Sequence, residues 1–220
     1  MKSRVNILMP VKDLAFCKQR LASVLSPQER QDLVLALLES NLRVLTTDFP
    51  ELDVLVITPD HTVARLAKRL GVRVLVEPVA QGLNVAIQRG TRWSLAKGYQ
   101  RQLVLAPDIA DLKCHELQRL FDQVEYPTLD SKAPRIVIAL ANDGGTNALF
   151  TQPPNALVFQ FGPHSAARML SSSRQRGIAS YLLRLPHLSL DIDTPEDLTC
   201  WALESQTAYQ ESEGVACALK

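Results

Sequence analysis

Short apolar segments alternate with longer helical patterns along the whole of this 220-residue chain. Five of the apolar segments have the length and composition of buried strands, namely 4–9, 52–58, 72–77, 101–106 and 135–140. Helical patterns lie between and after them, at 26–45, 60–70, 83–97, 114–123 and 164–176. This repetition predicts an α/β fold, in which a mostly parallel sheet carries helices on both faces.

The second half of the chain departs from the simple repetition. Three further short apolar segments predict additional strands, with an antiparallel excursion among them. These segments lie near 147–151, 156–160 and 180–185. The most linker-like stretch, 122–135, has only the length of a loop. We therefore expect one domain over residues 1–204, followed by a loosely ordered tail over 205–220.

Charge and composition limit the kinds of partner that this protein is expected to bind. The chain has 24 Lys and Arg against 23 Asp and Glu, so it lacks the basic surplus of a nucleic-acid binder. No apolar run approaches the ~20 residues of a membrane helix, and the first residues lack a signal peptide's apolar region. The four cysteines show no metal-binding spacing, which favours free thiols. We expect a soluble cytoplasmic protein that binds neither nucleic acid nor membrane, with its oligomeric state open.

A pair of aspartates is the most informative local feature. The segment LSLDIDTPEDL, 188–198, begins with a pattern that predicts an apolar strand, and this strand would end with Asp191 and Asp193. Residues i and i+2 of a strand point to the same face, and two carboxylates there repel unless a cation or a proton lies between them. Helix capping explains the following TPED, but it does not explain these two aspartates.

A third aspartate follows another predicted strand. Asp108 comes two residues after strand 101–106, and the carboxyl ends of parallel strands are where ligands bind in open sheets. An aspartate after a strand is often only a turn residue. Together with Asp191 and Asp193, however, it would supply three carboxylates, which are the hard oxygen ligands suited to Mg²⁺.

A cationic loop follows the first strand at the same predicted edge. The segment MPVKDLAFCKQRL, 9–21, carries Lys12, Lys18 and Arg20. Such a cluster suits a polyphosphate, because each anionic oxygen needs a donor and a counter-charge. The loop lacks the Walker A pattern, and on its own a solvated basic turn explains it equally well.

Two glycine-containing segments predict a second, smaller anion site. Thr146 follows two glycines in DGGTNALF, 143–150, while Gly162 and Ser165 precede a helix in FGPHSAARML, 161–170. Free N–H groups at a helix start favour anions, and the two hydroxyls add donors. On spacing alone, an ordinary glycine turn and a capped helix explain both segments.

The segment EPVAQGLNVAIQRG, 77–90, also follows a predicted strand. Gly82 and Asn84 open a helix there, and the Asn84 amide could bind a base or a ribose. Taken alone, the segment indicates only the start of a helix.

Six segments together resemble the CofC/FbiD family of guanylyltransferases, which make the GDP-activated precursor of coenzyme F-420. They occur in the family's order and at about its spacing, over residues 5 to 200. They are PVKDLAFCKQRLASVLSPQER, QGLNVAIQRG, the aspartate after LVLA, GGTNALF, FGPHSAARML and LDIDTPEDL. The resemblance implies a Rossmann-like nucleotidyltransferase fold of the GT-A-like type. It also implies GTP as the donor, Mg²⁺ as the cofactor and a small phosphorylated carboxylic acid as the acceptor.

The resemblance also implies roles for individual residues. The positions that match its metal ligands are Asp108, Asp191 and Asp193. The positions that match its phospho-acid site are Thr146, Gly162 and Ser165. Those expected to face the nucleotide are Lys12, Lys18, Arg20, Gly82 and Asn84. Catalysis is assigned to Lys12, Lys18 and Asp108.

The chain departs from the family pattern at three places. APDIAD stands where the family usually has P-A-D-L-P, although Asp108 keeps its place, and Phe16 and Cys17 replace smaller residues. The loop before Gly144 is about one residue shorter and lacks the usual acid–arginine pair. The choice among phosphoenolpyruvate, 2-phospho-L-lactate and 3-phospho-D-glycerate therefore stays open. Two alternatives are a related nucleotidyltransferase with a sugar-phosphate or molybdopterin acceptor, and a non-catalytic nucleotide-binding homologue.

Overall fold

A computed structural model describes residues 4–124 and 133–202 of the chain. Its strands are β1 (Val5–Pro10), β2 (Asp53–Thr58), β3 (Arg73–Val76), β4 (Arg101–Leu105), β5 (Arg135–Leu140), β6 (Thr146–Gln152) and β7 (Ala179–Leu183). They form one sheet in the order β3-β2-β1-β4-β6-β5-β7. Of these strands, β6 alone runs antiparallel to its neighbours, which confirms the predicted antiparallel excursion.

The helices follow the predicted pattern closely. They are α1 (Pro27–Asp48), α2 (His61–Arg69), α3 (Leu83–Ala96), α4 (Cys114–Val124) and α5 (Ser165–Gln175). A further helix runs from 195 to 202, the last described residue. Ser26 and Glu29 form a reciprocal capping box that fixes the start of α1. Among the described residues, no helix combines the length and the apolar character needed to cross a bilayer.

Alternate residues of the central strands pack into two apolar layers, one on each face of the sheet. Ile7 and Met9 pack in a layer with α1, α2 and α4, whereas Leu8 faces α3 and α5 on the other side of the sheet. The helix α3 approaches closely because position 90 is glycine. A Cβ there would clash with the side chains of Ile57 and Leu8. This arrangement confirms the predicted α/β fold with helices on both faces.

Two predicted strands are wrong. Residues 156–160 form no strand, although Ala156, Leu157 and Phe159 are buried. The prolines at 153 and 154 offer no N–H groups to a ladder, so this apolar segment packs without pairing. Residues 186–189 form a turn, and Asp191 makes only an isolated bridge with Ile109. The predicted tail at 205–220 and most of 122–135 lie outside the described residues.

The topology brings four loops to one edge of the sheet. The chain leaves β1 for β2 on one side and returns to β4 on the other, so the loops after β1 and β4 lie side by side. Because β6 is antiparallel, its first residue lies at the same edge as the last residues of β1, β4 and β5. This edge is where the predicted site residues converge.

Candidate functional site

A cavity of about 270 Å³ opens at this edge of the sheet. Most of the site residues predicted from the sequence line it. These are Lys12, Lys18, Asp108, Thr146, Gly162, Ser165, Asp191 and Asp193. Apolar side chains complete the wall, among them Leu83, Ile87 and Phe161. Arg20, Gly82 and Asn84 are not among the lining residues.

The three aspartates form one cluster. One carboxylate oxygen from each lies within 4.8 Å of the others, so a single cation could contact all three. Ile192, between Asp191 and Asp193, is fully buried, and for that reason both aspartates face the cavity although no regular strand carries them. Main-chain hydrogen bonds join the two loops, including one of 3.0 Å from Ala110 N to Leu190 O.

The ammonium group of Lys18 lies within this acidic cluster. Its Nζ atom donates to Asp108 Oδ2 and, at 2.7 Å, to Asp193 Oδ1. The side chain is only 5% exposed, and the residue has a left-handed backbone (φ 44°) that a lysine seldom adopts. A positive group from the cationic loop therefore lies between Asp108 and Asp193.

The other predicted cations lie further out. The Arg20 guanidinium is 70% exposed, with Nη1 3.9 Å from Asp193 Oδ2. Lys12 lines the cavity beside Phe16, whose ring is largely exposed. These positions leave the Lys12 and Arg20 charges available to an incoming anion.

The two neighbouring aspartates have opposite pKa shifts. Burial, reinforced by the negative charge of Asp108, raises the pKa of Asp191 to about 6, against a hydrogen bond from Asn147. Burial would also raise the pKa of Asp193, but the Lys18 charge outweighs it, and the pKa of Asp193 is lowered. Burial opposes the charged form of Lys18 too, yet Asp108 and Asp193 raise its pKa. Asp191 is therefore the carboxylate whose negative charge is least offset by its surroundings.

This contrast predicts opposite stability effects for two conservative substitutions. A raised pKa means that the Asp191 contribution to stability is present below about 3.8 and is lost as the pH rises through about 6. At pH 7 the ionised group therefore costs up to about 3 kcal/mol. Without divalent cations, Asp191→Asn should raise the free energy of unfolding by about 1–3 kcal/mol at pH 7, and the gain should shrink towards pH 5.

Urea unfolding at pH 7 and pH 5 measures this effect. Asp193→Asn is the matched control, because it removes a partner of Lys18 and should lower the stability at pH 7. An Asp191→Asn protein that is no more stable than the wild type at pH 7 would contradict the proposed charge imbalance.

At the other end of the cavity, two hydroxyls meet the start of α5. Ser165 Oγ donates to Thr146 Oγ1 at 2.9 Å. Gly162 has φ 128°, a conformation suited to glycine, and it places its backbone directly before the helix. Ser165 N donates to Gly162 O at 3.0 Å, and the Arg168 guanidinium lies close to Gly162. The hydroxyl pair at the start of a helix is a donor set that suits a small anion.

The Asn84 amide is engaged within the protein. It accepts from Phe161 N at 2.8 Å and donates to Phe161 O at 3.2 Å, so it joins the start of α3 to the segment before Gly162. Gly82 precedes α3 with φ 93°. Leu83, between them, faces the cavity instead. A direct contact of Asn84 with a nucleotide stays a prediction.

Two polar lining residues, Asp143 and Asn147, were missed from the sequence. Asn147 is the second residue of β6, and its Nδ2 atom donates to Asp191 Oδ1 at 3.0 Å. The signal was present, because Asn147 is a polar residue at the start of the apolar run NALF. A buried amide in such a strand needs a partner, and the unpaired aspartates were candidates.

The chain is similar to known proteins in both family and sequence. The family described as "Guanylyl transferase CofC like" matches residues 5–211. A 3-phospho-D-glycerate guanylyltransferase of Colwellia psychrerythraea is 38% identical over 208 residues, covering 94% of this chain and 96% of that protein. A phosphoenolpyruvate guanylyltransferase of Sphaerobacter thermophilus is 35% identical over 194 residues, covering 87% and 89% respectively.

The fold is also shared with solved structures. A nucleotidyl transferase from Methanothermobacter thermautotrophicus superposes with a TM-score of 0.66 at 16% identity, covering 94% of this chain and 100% of the other. At that identity the likeness concerns the fold alone. It confirms the mostly parallel, GT-A-like nucleotidyltransferase fold that the sequence segments implied.

Proposed function

The chain belongs to the family of CofC-like guanylyl transferases, and we propose that it transfers GMP from GTP to the phosphate of a small phosphorylated carboxylic acid. Pyrophosphate is released, and the product serves coenzyme F-420 biosynthesis. The observation that carries this proposal is a single cavity with a cationic loop and three carboxylates at one end and a hydroxyl-lined helix start at the other.

The donor end of the cavity suits a triphosphate. Lys12 and Arg20 would offset its charge from the rim, and Lys18 from the floor. Binding a triphosphate gives Lys18 additional anionic partners beside Asp108 and Asp193. Gly82, which precedes α3, would let the backbone pass close to the nucleotide, with Leu83 and Ile87 as the apolar wall.

The acceptor end suits a phosphate group that is already ionised. Thr146 and Ser165 would donate hydroxyl hydrogen bonds to it, while Gly162 and the start of α5 would add main-chain donors. Because a phosphate oxygen is nucleophilic without losing a further proton, the reaction requires no general base. This agrees with the cavity, whose lining residues include the hydrogen-bonded hydroxyls of Thr146 and Ser165 but no histidine.

The three aspartates fit Mg²⁺. Their oxygens converge, they are hard ligands, and the single ammonium of Lys18 leaves Asp191 under-compensated. When bound there by Asp108, Asp191 and Asp193, Mg²⁺ would neutralise phosphate charge and orient the phosphoryl groups.

The chemical step is an in-line displacement at the α-phosphorus of GTP. An acceptor phosphate oxygen forms a bond to that phosphorus, and the bond from the α-phosphorus to the bridging oxygen breaks. Pyrophosphate leaves with the electron pair. The side chains hold the two anions in line and offset their charge, which is how proteins accelerate phosphoryl transfer in general.

The test is pyrophosphate release with GTP, Mg²⁺ and each of the three phospho-acids in turn. We expect the strongest release with 3-phospho-D-glycerate, because the relative that is named for this acceptor is the more similar of the two compared above. Silence with all three acceptors, but release with another nucleotide or a sugar phosphate, would overturn the proposal. Metal-dependent GTP binding without any release would indicate a non-catalytic homologue.

Ser165→Ala should weaken acceptor binding selectively. Loss of one hydroxyl donor removes a hydrogen bond to an ionised phosphate, so the acceptor KM should rise about tenfold while the GTP KM stays unchanged. Steady-state kinetics with each substrate varied in turn measure both constants. Ser171→Ala, at an exposed position of the same helix, is the matched control. An unchanged acceptor KM in Ser165→Ala would place the acceptor elsewhere.

A further inference from the structure

A buried asparagine holds the loop that carries Asp108. Asn41 lies in the middle of α1 and is only 1% exposed. Its Nδ2 atom donates to the carbonyl oxygens of Pro107 and Ile109, each at 3.1 Å. These two residues flank Asp108, so one amide fixes the main chain on both sides of the carboxylate.

A second buried asparagine holds the loop that carries Asp191. Asn147 Nδ2 donates to Leu188 O at 3.1 Å and to Asp191 Oδ1 at 3.0 Å. The main-chain carbonyl oxygen of Asn147 accepts from Ala106 N at 2.8 Å, and Ala106 lies two residues before Asp108. Asn147 therefore contacts both aspartate loops at once.

A buried glutamate holds the same loop from the other side. Glu116, in α4, is 1% exposed, and its two carboxylate oxygens accept from His187 N at 3.2 Å and from Leu188 N at 2.7 Å. The turn before Asp191 has no strand pairing of its own, so these contacts supply what a ladder would otherwise provide. Because Glu116 lies on α4, its two hydrogen bonds connect this loop to the helix layer.

We propose that Asn41, Asn147 and Glu116 are positioning residues that hold the two aspartate loops at the separation which a divalent cation requires. Three convergent carboxylates repel one another. If the two loops were unrestrained, this repulsion would drive them apart whenever the Lys18 ammonium left the cluster. The two amides restrain the loops without adding a positive charge that would compete with the cation. This inference rests on the cation role given to the aspartates under the proposed function.

Direct titration of the nucleotide-free protein with Mn²⁺, followed by electron paramagnetic resonance, tests the proposal. Residues that orient metal ligands typically contribute about 10- to 100-fold in metal affinity. We expect Asn41→Ala and Asn147→Ala to weaken Mn²⁺ binding by about that factor. In turnover, both variants should need more Mg²⁺ for half-maximal kcat, with the acceptor KM unchanged at saturating Mg²⁺.

Asn6→Ala is the matched control. Asn6 is also a fully buried asparagine, and its Nδ2 atom donates to Ser94 Oγ at 2.8 Å, at the opposite end of β1 from the cavity. All three substitutions should lower the unfolding midpoint, but Asn6→Ala should leave the Mn²⁺ affinity of the folded protein unchanged. If an alanine variant fails to fold, Asn41→Ser and Asn147→Ser, which retain one donor, should show a smaller loss of the same kind.

The outcomes separate the inference from the proposed function. Mn²⁺ affinities that fall no further in the Asn41 and Asn147 variants than in Asn6→Ala would overturn the positioning role and leave the cation role intact. A wild-type protein that binds no Mn²⁺ would remove the cation role and this inference together. A selective loss in the two variants supports both.

Discussion

Alanine at Asp191 or at Asp193 is expected to lower the rate of pyrophosphate release by about 10²- to 10³-fold while the fold survives. Each carboxylate is one of three that converge in the cavity, and each would hold the cation that offsets phosphate charge. The chain between them is anchored by Ile192, which is fully buried and unchanged in both variants. The loss should therefore appear in kcat and leave the circular dichroism spectrum unaltered.

Glu196→Ala provides the control for this pair. Glu196 is an acid of the same segment, but it is exposed in the first turn of the last helix. Its removal should change turnover by less than about twofold, because a solvated surface charge is screened. Wild-type turnover in Asp191→Ala or in Asp193→Ala would remove the metal role from the cluster.

Replacement of Lys18 should have the second largest effect. Lys18→Met keeps most of the side-chain volume but removes the ammonium, so kcat/KM for GTP should fall about 100-fold or more. Without divalent cations the variant should also be less stable, because Asp108 and Asp193 lose a buried partner. Breaking a buried pair typically costs 3–5 kcal/mol, and since Asp193 is half-exposed we expect about 2–3 kcal/mol.

Two measurements test the Lys18 prediction together. Urea unfolding with and without Mg²⁺ should show that the cation restores part of the lost stability, since it can replace the ammonium between the carboxylates. Arg20→Met is the control, because its exposed guanidinium should contribute less than about 0.5 kcal/mol. A Lys18→Met protein with wild-type use of GTP would contradict the role given to the lysine loop.

Local signals account for most of the fold that could be predicted. The capping pattern at Ser26 and Glu29 marks the start of α1, and the strand–helix alternation leads to the parallel sheet. The failures have a common cause. Ala156, Leu157, Phe159 and Leu188 are buried by tertiary packing outside any strand. Single-sequence patterns do not distinguish burial in a strand from burial in a turn.

The candidate site was predicted to the extent that strand ends meet at one edge. Strand ends correctly placed Asp108 at this edge, but Asp191 and Asp193 were assigned to the end of a strand where the structure has a turn and an isolated bridge. The same reasoning had a further limit. It could not find Asn41, because a polar residue in the middle of a helix has no local signal for a partner 66 and 68 positions away. The contacts of Lys18, over 90 and 175 positions, depend in the same way on the assembled fold.

The direction of β6 links one hairpin loop to two parts of the cavity. The first residue of β6 lies at the cavity, so the hairpin loop at 141–145 forms part of the cavity wall. The paired strands β5 and β6 extend from this loop away from the cavity. The same loop reaches the aspartate cluster, because Asn142 N donates to Ser189 O at 3.1 Å in the turn before Asp191. A change in the length of this one hairpin is therefore expected to alter the hydroxyl end of the cavity and the carboxylate end together.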